Sequence, residues 1–351
     1  MKKIIAAAVA ASMSAVAMAD ISITGNANYE YFAKTVGGAV EKTTNDADME
    51  VNLSIVGKTG DTSVVANLEI TGASAQASSA TTDRDADGEV SAIDVEDLYI
   101  TTKVGDLNIK AGDYASGTTA LGGEFDNGGR AINKIDISTN VGPAKVGYAV
   151  SAISTAASDD YESSKGVVYG SMDVAGTKVS FKDQSDSYTI VGLQGSAGGI
   201  NYRIENKDND TANTDVLFYE LGTKMGDLSI SYAALDSDSA NSSDTAGPIT
   251  EDDSTIFAQD AHDTGLDGMH QVTIATSIDG TAVKLRAGTR TGGTTGGTTY
   301  QDADFMEVAA SRALASGATL TVSYADADKV TAVGSTMYDD QTLEIDLSVK
   351  F

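Results

Sequence analysis

The chain has 351 residues, with 51 Asp and Glu against 23 Lys and Arg, a formal net charge of −28, no Cys and no Trp. The acidic balance argues against a nucleic-acid partner, and the missing cysteines exclude a disulfide framework. With 36 Gly, 2 Pro and 6% aromatics, the composition does not suit a large dry core, a requirement that a barrel around water escapes because its inner face is polar.

In chain order, residues 1–19 read as a secretory signal peptide. Lys2 and Lys3 are followed by an apolar run from Ile4 to Val16, and Ala17-Met18-Ala19 gives the small-x-small pattern before Asp20. The expected mature chain is one domain, residues 20–351. No later stretch approaches the ~20 apolar residues of a spanning helix. The exported chain is therefore either soluble or a closed barrel, the other structure that satisfies every backbone group in lipid.

The first expected strand is Ile21–Phe32, where Ile21, Ile23, Gly25, Ala27, Tyr29 and Tyr31 alternate with Ser22, Thr24, Asn26, Asn28 and Glu30. A second, Met49–Lys58, sets Met49, Val51, Leu53 and Ile55 against Glu50, Asn52 and Ser54. Thr59-Gly60-Asp61 then turns the chain. Similar turn chemistry recurs at Val104-Gly105-Asp106-Leu107 and Met225-Gly226-Asp227-Leu228, with variants at Val141–Ala144, Ala175–Thr177, Ser196–Gly199, Asp279–Thr281 and Ser316–Gly317. Longer polar segments lie between, near 33–47, 71–92, 113–130, 155–163, 236–267, 290–301 and 326–338. Short turns at one end and long loops at the other are the asymmetry of membrane barrels, and the segments count up to about 18 strands. Two of them, near Lys178–Asp183 and Ser187–Gly195, are short.

At the C-terminus Leu343, Ile345, Leu347, Val349 and Phe351 alternate with Thr342, Glu344, Asp346, Ser348 and Lys350, the pattern of one tilted membrane strand. Behind a signal peptide, this strand resembles that of the Gram-negative general porins, which closes on a C-terminal Phe. The resemblance implies an all-β, closed antiparallel transmembrane barrel in the bacterial outer membrane, assembled as a homotrimer. It implies 16 strands where the segment count favours ~18, and recognition of Phe351 by the outer-membrane assembly machinery. It also implies that the third long loop, after the fifth strand Leu107–Gly112, folds into the lumen. Asp113, Glu124 and Asp126 would then be acidic constriction residues, with Arg130 closing the loop. The sequence departs from the family in having no Trp and an Ala- and Gly-rich membrane face.

Strand parity supplies the opposing cations. Lys110 is out of phase with Leu107, Ile109 and Ala111; Lys134 with Ile135 and Ile137; Lys284, Arg286 and Arg290 with Val283 and Leu285. Acidic loop and basic wall together create a field that orients dipolar solutes.

A second local pattern, Asp83-x-Asp85-x-Asp87-Gly88-Glu89, reaches Asp94 at the spacing of a calcium loop. It departs from the EF-hand in having Asp94 in place of the bidentate Glu and strands instead of flanking helices. The expectation is Ca²⁺ in the second extracellular loop and no required cofactor. Catalysis is not expected: there is no Cys, and neither His262 nor His270 has a nucleophile at a telling spacing.

The expected function is a water-filled porin for passive diffusion of ions and small hydrophilic solutes, weakly cation-selective from its net charge. Two other readings stay open. An 18-stranded count favours a substrate-selective channel, although few lumen-facing aromatics are expected. An acidic, Cys-free exported chain also fits a surface-layer protein, against which strand-length periodicity and Phe351 argue.

Overall fold

The computed structural model describes residues 20–38, 41–71, 92–115, 130–154, 161–163, 166–184, 187–209, 214–237, 266–329 and 331–351. Within them the chain runs up and down as antiparallel strands. The first six are β1 (Asp20–Val36), β2 (Lys42–Thr59), β3 (Thr62–Thr71), β4 (Ala92–Val104), β5 (Leu107–Ala115) and β6 (Arg130–Val141). Next come β7 (Ala144–Ser154), β8 (Val167–Val174), β9 (Thr177–Gln184), β10 (Tyr188–Ala197), β11 (Ile200–Asn209) and β12 (Thr214–Met225). The last six are β13 (Leu228–Ser237), β14 (Leu266–Ile278), β15 (Thr281–Gly292), β16 (Ala303–Ala313), β17 (Ala318–Asp328) and β18 (Asp339–Lys350). Each pairs with the next, and β1 pairs with β18 from Asn26↔Lys350 to Val36↔Asp340, so the sheet closes. The barrel has 18 strands, the number given by the segment count and not the 16 implied by the general porins.

Strand length is where the structure departs from the pattern. The β1/β2 pairing runs unbroken from Asp20↔Lys58 to Val36↔Lys42, so most of the segment read as a loop at 33–47 is ladder. Thr35 and Thr43 share a hydroxyl hydrogen bond at 3.0 Å, and β-branched Thr suits a pleated surface whether or not lipid covers it. A tilted strand needs only about 9–11 residues to cross a membrane, so these polar rows extend past the apolar belt. Farther round, Gln301 Nε2 donates to Thr331 Oγ1 at 3.1 Å, Ala332 O at 3.1 Å and Ser335 O at 3.2 Å. This ties the β15–β16 connection to the β17–β18 connection at the long-loop end.

The faces sort by chemistry. The outer face is an apolar belt, with Ile23, Val104, Leu221, Ile274, Val308 and Leu347 all exposed. Ionisable and small side chains occupy most of the inner face, with a buried apolar strip of Phe218, Leu235, Met269 and Phe305 on β12, β13, β14 and β16. A continuous exposed apolar belt is unstable in water and stable against hydrocarbon, where a closed ladder leaves no backbone group unpaired.

Glycines in the strands are covered by rings from the next strand. Phe181 lies opposite Gly170 and Phe305 opposite Gly288, each with a ring carbon 2.7 Å from where a glycine Cβ would stand. Tyr169 covers Gly147 in the same way. A ring lying flat over a glycine replaces the missing side-chain packing and pins the register.

Most tight turns place Gly at positive φ, such as Gly60 at 56° and Gly226 at 62°. Ala175, at φ 51°, is a non-glycine residue in the same region. A Cβ there costs roughly 1–2 kcal/mol. Ala175→Gly is expected to stabilise the barrel by about 1 kcal/mol after the entropy cost of a new glycine. Urea midpoints of the refolded variant and parent in micelles would check this, and an unchanged or lower midpoint would contradict it.

Candidate pore lining

Lumen-facing residues alternate with belt residues along the strands except where the register shifts in β4 and β6, and the charged ones segregate around the wall. From β5 to β11 the inner face carries Lys110, Lys134, Lys145, Lys182, Arg203 and Lys207, most of them packed on aromatic rings. The Lys110 ammonium stands 3.9 Å from the Tyr99 ring centroid and 3.8 Å from that of Tyr114. Lys134 Nζ is 5.2 Å from the Tyr114 ring and Lys145 Nζ 5.7 Å from the Tyr169 ring. Lys182 and Lys207 share the Tyr188 ring at 5.4 and 5.7 Å. Arg203 packs on Phe218 at 4.9 Å and pairs with Glu220 at 3.3 Å. Such contacts attract the cation to the ring face and fix where its charge sits.

Acids dominate the opposite arc, from β16 through the β18–β1 seam to β4. Glu30 on β1 is opposite Asp48 on β2 and Asp346 on β18, so three carboxylates form one row across three strands. Glu344 and Glu50 add their fields to the same row. Directly opposed like charges destabilise a ladder. The row is therefore tolerable only where solution cations reach and neutralise it.

Between the arcs, β15 and β16 hold a buried ion pair. Arg286 lies opposite Glu307, with Nη2 2.6 Å from Oε2 and the side chains 7% and 2% exposed. Arg290, four residues on and on the same face, donates to the carbonyl of Asp328.

Of the residues singled out in the sequence, Lys110, Lys134, Arg286 and Arg290 stand on inner-face positions of the ladder. Asp113 does not join Lys110. It follows Gly112, at φ 138°, where the β5–β6 register shifts, and it pairs with Leu98, an outward residue of β4. Arg130 opens β6 opposite Ala115. Glu124 and Asp126 lie outside the described residues. So do Asp83, Asp85, Asp87 and Glu89 of the calcium pattern; Asp94 is exposed in β4, opposite Glu69. His270 is on the outer face of β14, opposite Ala234. Phe351 extends the seam: its N–H donates to Gly25 O, and Gly25 N–H donates to Phe351 O, both at 2.9 Å.

Several lining residues escape sequence reasoning. Glu30 and Asp346 meet only through closure of the barrel. Asp97 stays on the inner face because the register shifts beside it, between Asn67 and Leu68; unbroken alternation from Val95 would have turned it outward. Tyr99, Tyr114 and Tyr169, inward as a group, supply the aromatic surface that the sequence was expected to lack.

No protein-family model matches the chain, and no curated protein matches it in sequence. Solved structures do match. A BenF-like porin from Pseudomonas fluorescens superposes with a TM-score of 0.66 at 9% identity, covering 95% of this chain and 99% of that one. OpdK from Pseudomonas aeruginosa, crystallised with vanillate, gives 0.62 at 12% identity over 95% and 99%. OccK2 (OpdF) from the same organism, in complex with glucuronate, gives 0.61 at 10% identity over 94% and 98%. At such identities the likeness is one of fold, and it spans both molecules nearly end to end: this chain has the closed-barrel fold of the outer-membrane porins that it superposes on.

Proposed function

We propose that the protein is an outer-membrane channel through which ions and small hydrophilic solutes diffuse passively, exported by the signal at residues 1–19. The observation that carries this reading is the inversion of faces. An apolar belt surrounds a wall rich in Lys, Arg, Asp and Glu, an arrangement that calls for water inside. The short turns would then face the periplasm and the long connections the outside. Planar-bilayer recording of the refolded mature chain tests it. Stable conductance steps are expected, in threes if the assembly is a homotrimer; an inserted barrel that never conducts would overturn the reading.

The channel prefers cations weakly. The wall opposes a basic arc to an acidic one, whereas the chain as a whole carries −28, and salt at about 0.15 M screens distant loop charges beyond ~8 Å. The Asp48–Glu30–Asp346 row is where mobile cations collect. Under a KCl gradient the reversal potential is expected to have the cation-selective sign and to approach zero in Glu30→Gln/Asp346→Asn. An anion-selective sign in the parent would refute the preference.

A solute-selective reading is favoured by one specific observation, the lysine–tyrosine wall from β4 to β11. The similar OpdK and OccK2 structures hold vanillate and glucuronate, both carboxylates, and lysines beside rings suit a small organic acid. Benzoate uptake into channel-bearing liposomes, compared with that of an uncharged solute of equal size, separates the readings. Equal rates would leave general diffusion.

A further inference from the structure

The centre of the basic arc is a cage for a positive charge. The Tyr99 and Tyr114 rings meet edge to face, 5.5 Å between centroids and 64° between planes. The Lys110 ammonium sits 3.9 and 3.8 Å from the two centroids. The carboxylates of Asp97 and Asp136 act on its charge, and both are held from behind. Asn67 Nδ2 donates to Asp97 Oδ2 at 2.7 Å, and Tyr169 Oη to Asp136 Oδ1 at 2.6 Å. Two ring faces and two fixed carboxylates are the chemistry that recognises an alkylammonium.

Two further features bear on the cage. Tyr114 is 2% exposed, yet its hydroxyl has no hydrogen-bond partner among the described residues. A buried hydroxyl left unpaired costs about 1–3 kcal/mol, so among the described residues it is open to an incoming hydrogen-bonding group. An open recess of about 280 Å³ adjoins the cage, its charged lining made of Lys103, Lys110 and Lys145 with Asp61 and Asp136. A small cation has room to approach Lys110 there.

The geometry points to an alkylammonium-binding site on the channel wall, formed by Tyr99, Tyr114, Asp97 and Asp136 and occupied at rest by the protein's own Lys110. A solute carrying an ammonium group enters the cage by exchanging with that side chain. Lys110 is thus a tethered competitor: it keeps the cage closed to potassium, which gains less from two ring faces, and yields to a cation that fills the site better. The inference rests on the channel reading for its role in transport, but not for binding itself.

Choline chloride is the probe, and its uncharged carbon isostere the control. In micelles, the choline methyl NMR signal should broaden on addition of the refolded barrel while the isostere's does not. Removing the competitor in Lys110→Met should tighten choline binding about tenfold, because a short tether supplies millimolar effective concentration. Tyr99→Leu and Tyr114→Leu should each abolish the broadening. In bilayers, choline should interrupt the current of the parent, and of Lys110→Met at correspondingly lower concentration, each read against its own KCl trace. Equal response to choline and isostere in the parent, which needs no variant, would overturn the site. So would a Lys110→Met affinity no tighter than the parent's. Choline binding in micelles without conductance in KCl would keep the site and remove the channel.

Discussion

Replacing Glu307 with Leu is expected to destabilise the barrel by about 3–5 kcal/mol, the cost of leaving one partner of a buried ion pair without the other. Arg286 and Glu307 face each other directly across β15 and β16 at 2.6 Å, and both are almost wholly shielded from water. Taking away the carboxylate strips the guanidinium of its nearest counter-charge in a place where solvent cannot substitute. Arg286 has further contacts, which places the expected loss toward the lower end of that range. The double variant Arg286→Leu/Glu307→Leu removes both charges and should recover most of the loss, since well-packed apolar pairs often match the pair they replace. Urea midpoints of the parent, Glu307→Leu, Arg286→Leu and the double variant in micelles complete the cycle. A single variant within about 1 kcal/mol of the parent would mean that lumen water reaches this pair and that it behaves as a solvated surface bridge.

The fold was legible because a barrel between lipid and water imposes opposite chemistries on alternate residues. Ile21, Ile23 and Tyr29 against Ser22, Thr24 and Glu30 could be sorted without a partner strand, and the Gly-Asp turns marked the ends. Strand ends were not legible. Beyond the belt, a strand edge and a loop are both polar, so Lys34–Val36 and Lys42–Asp46 read equally well as either. Parity holds only between bulges. The shift at Asn67/Leu68 kept Asp97 on the inner face, whereas Asp113, in phase with Ile109 and Ala111, is outward by plain alternation because β5 continues as a strand through it. The lining was harder still, because its contacts are cross-strand. Lys110 announces itself as lumen-facing, but its seat between Tyr99 and Tyr114 depends on register along two ladders. The Asp48–Glu30–Asp346 row needs the two ends of the chain to meet.

That meeting of ends makes the seam the other place where a small change should have a large effect. Gly25 and Phe351 exchange two backbone hydrogen bonds at 2.9 Å, the last rung of the β1–β18 ladder. A Cβ at Gly25 would collide with the backbone oxygen of Asn52 on the β2 side and come 2.9 Å from Cζ of Phe351 on the other. The glycine is therefore a notch: its emptiness lets the terminal ring lie across the seam while the β1–β2 ladder keeps its spacing. Gly25→Val should cost about 1–3 kcal/mol from overpacking alone, and removal of Phe351 about 1–3 kcal/mol from the two lost hydrogen bonds. Both act on closure, so the fraction of compact barrel on a heat-modifiable gel should fall sharply in each. The glycine's two neighbours can be separated. Phe351→Ala relieves only the ring contact, so Gly25→Val/Phe351→Ala should close no better than Gly25→Val if the Asn52 carbonyl dominates. A rigid carbonyl in a paired ladder yields less than the end of a terminal side chain, and no rescue is the expected result. Full rescue would show that the ring alone fills the notch, and unimpaired closure of Gly25→Val would show that the seam tolerates a side chain there.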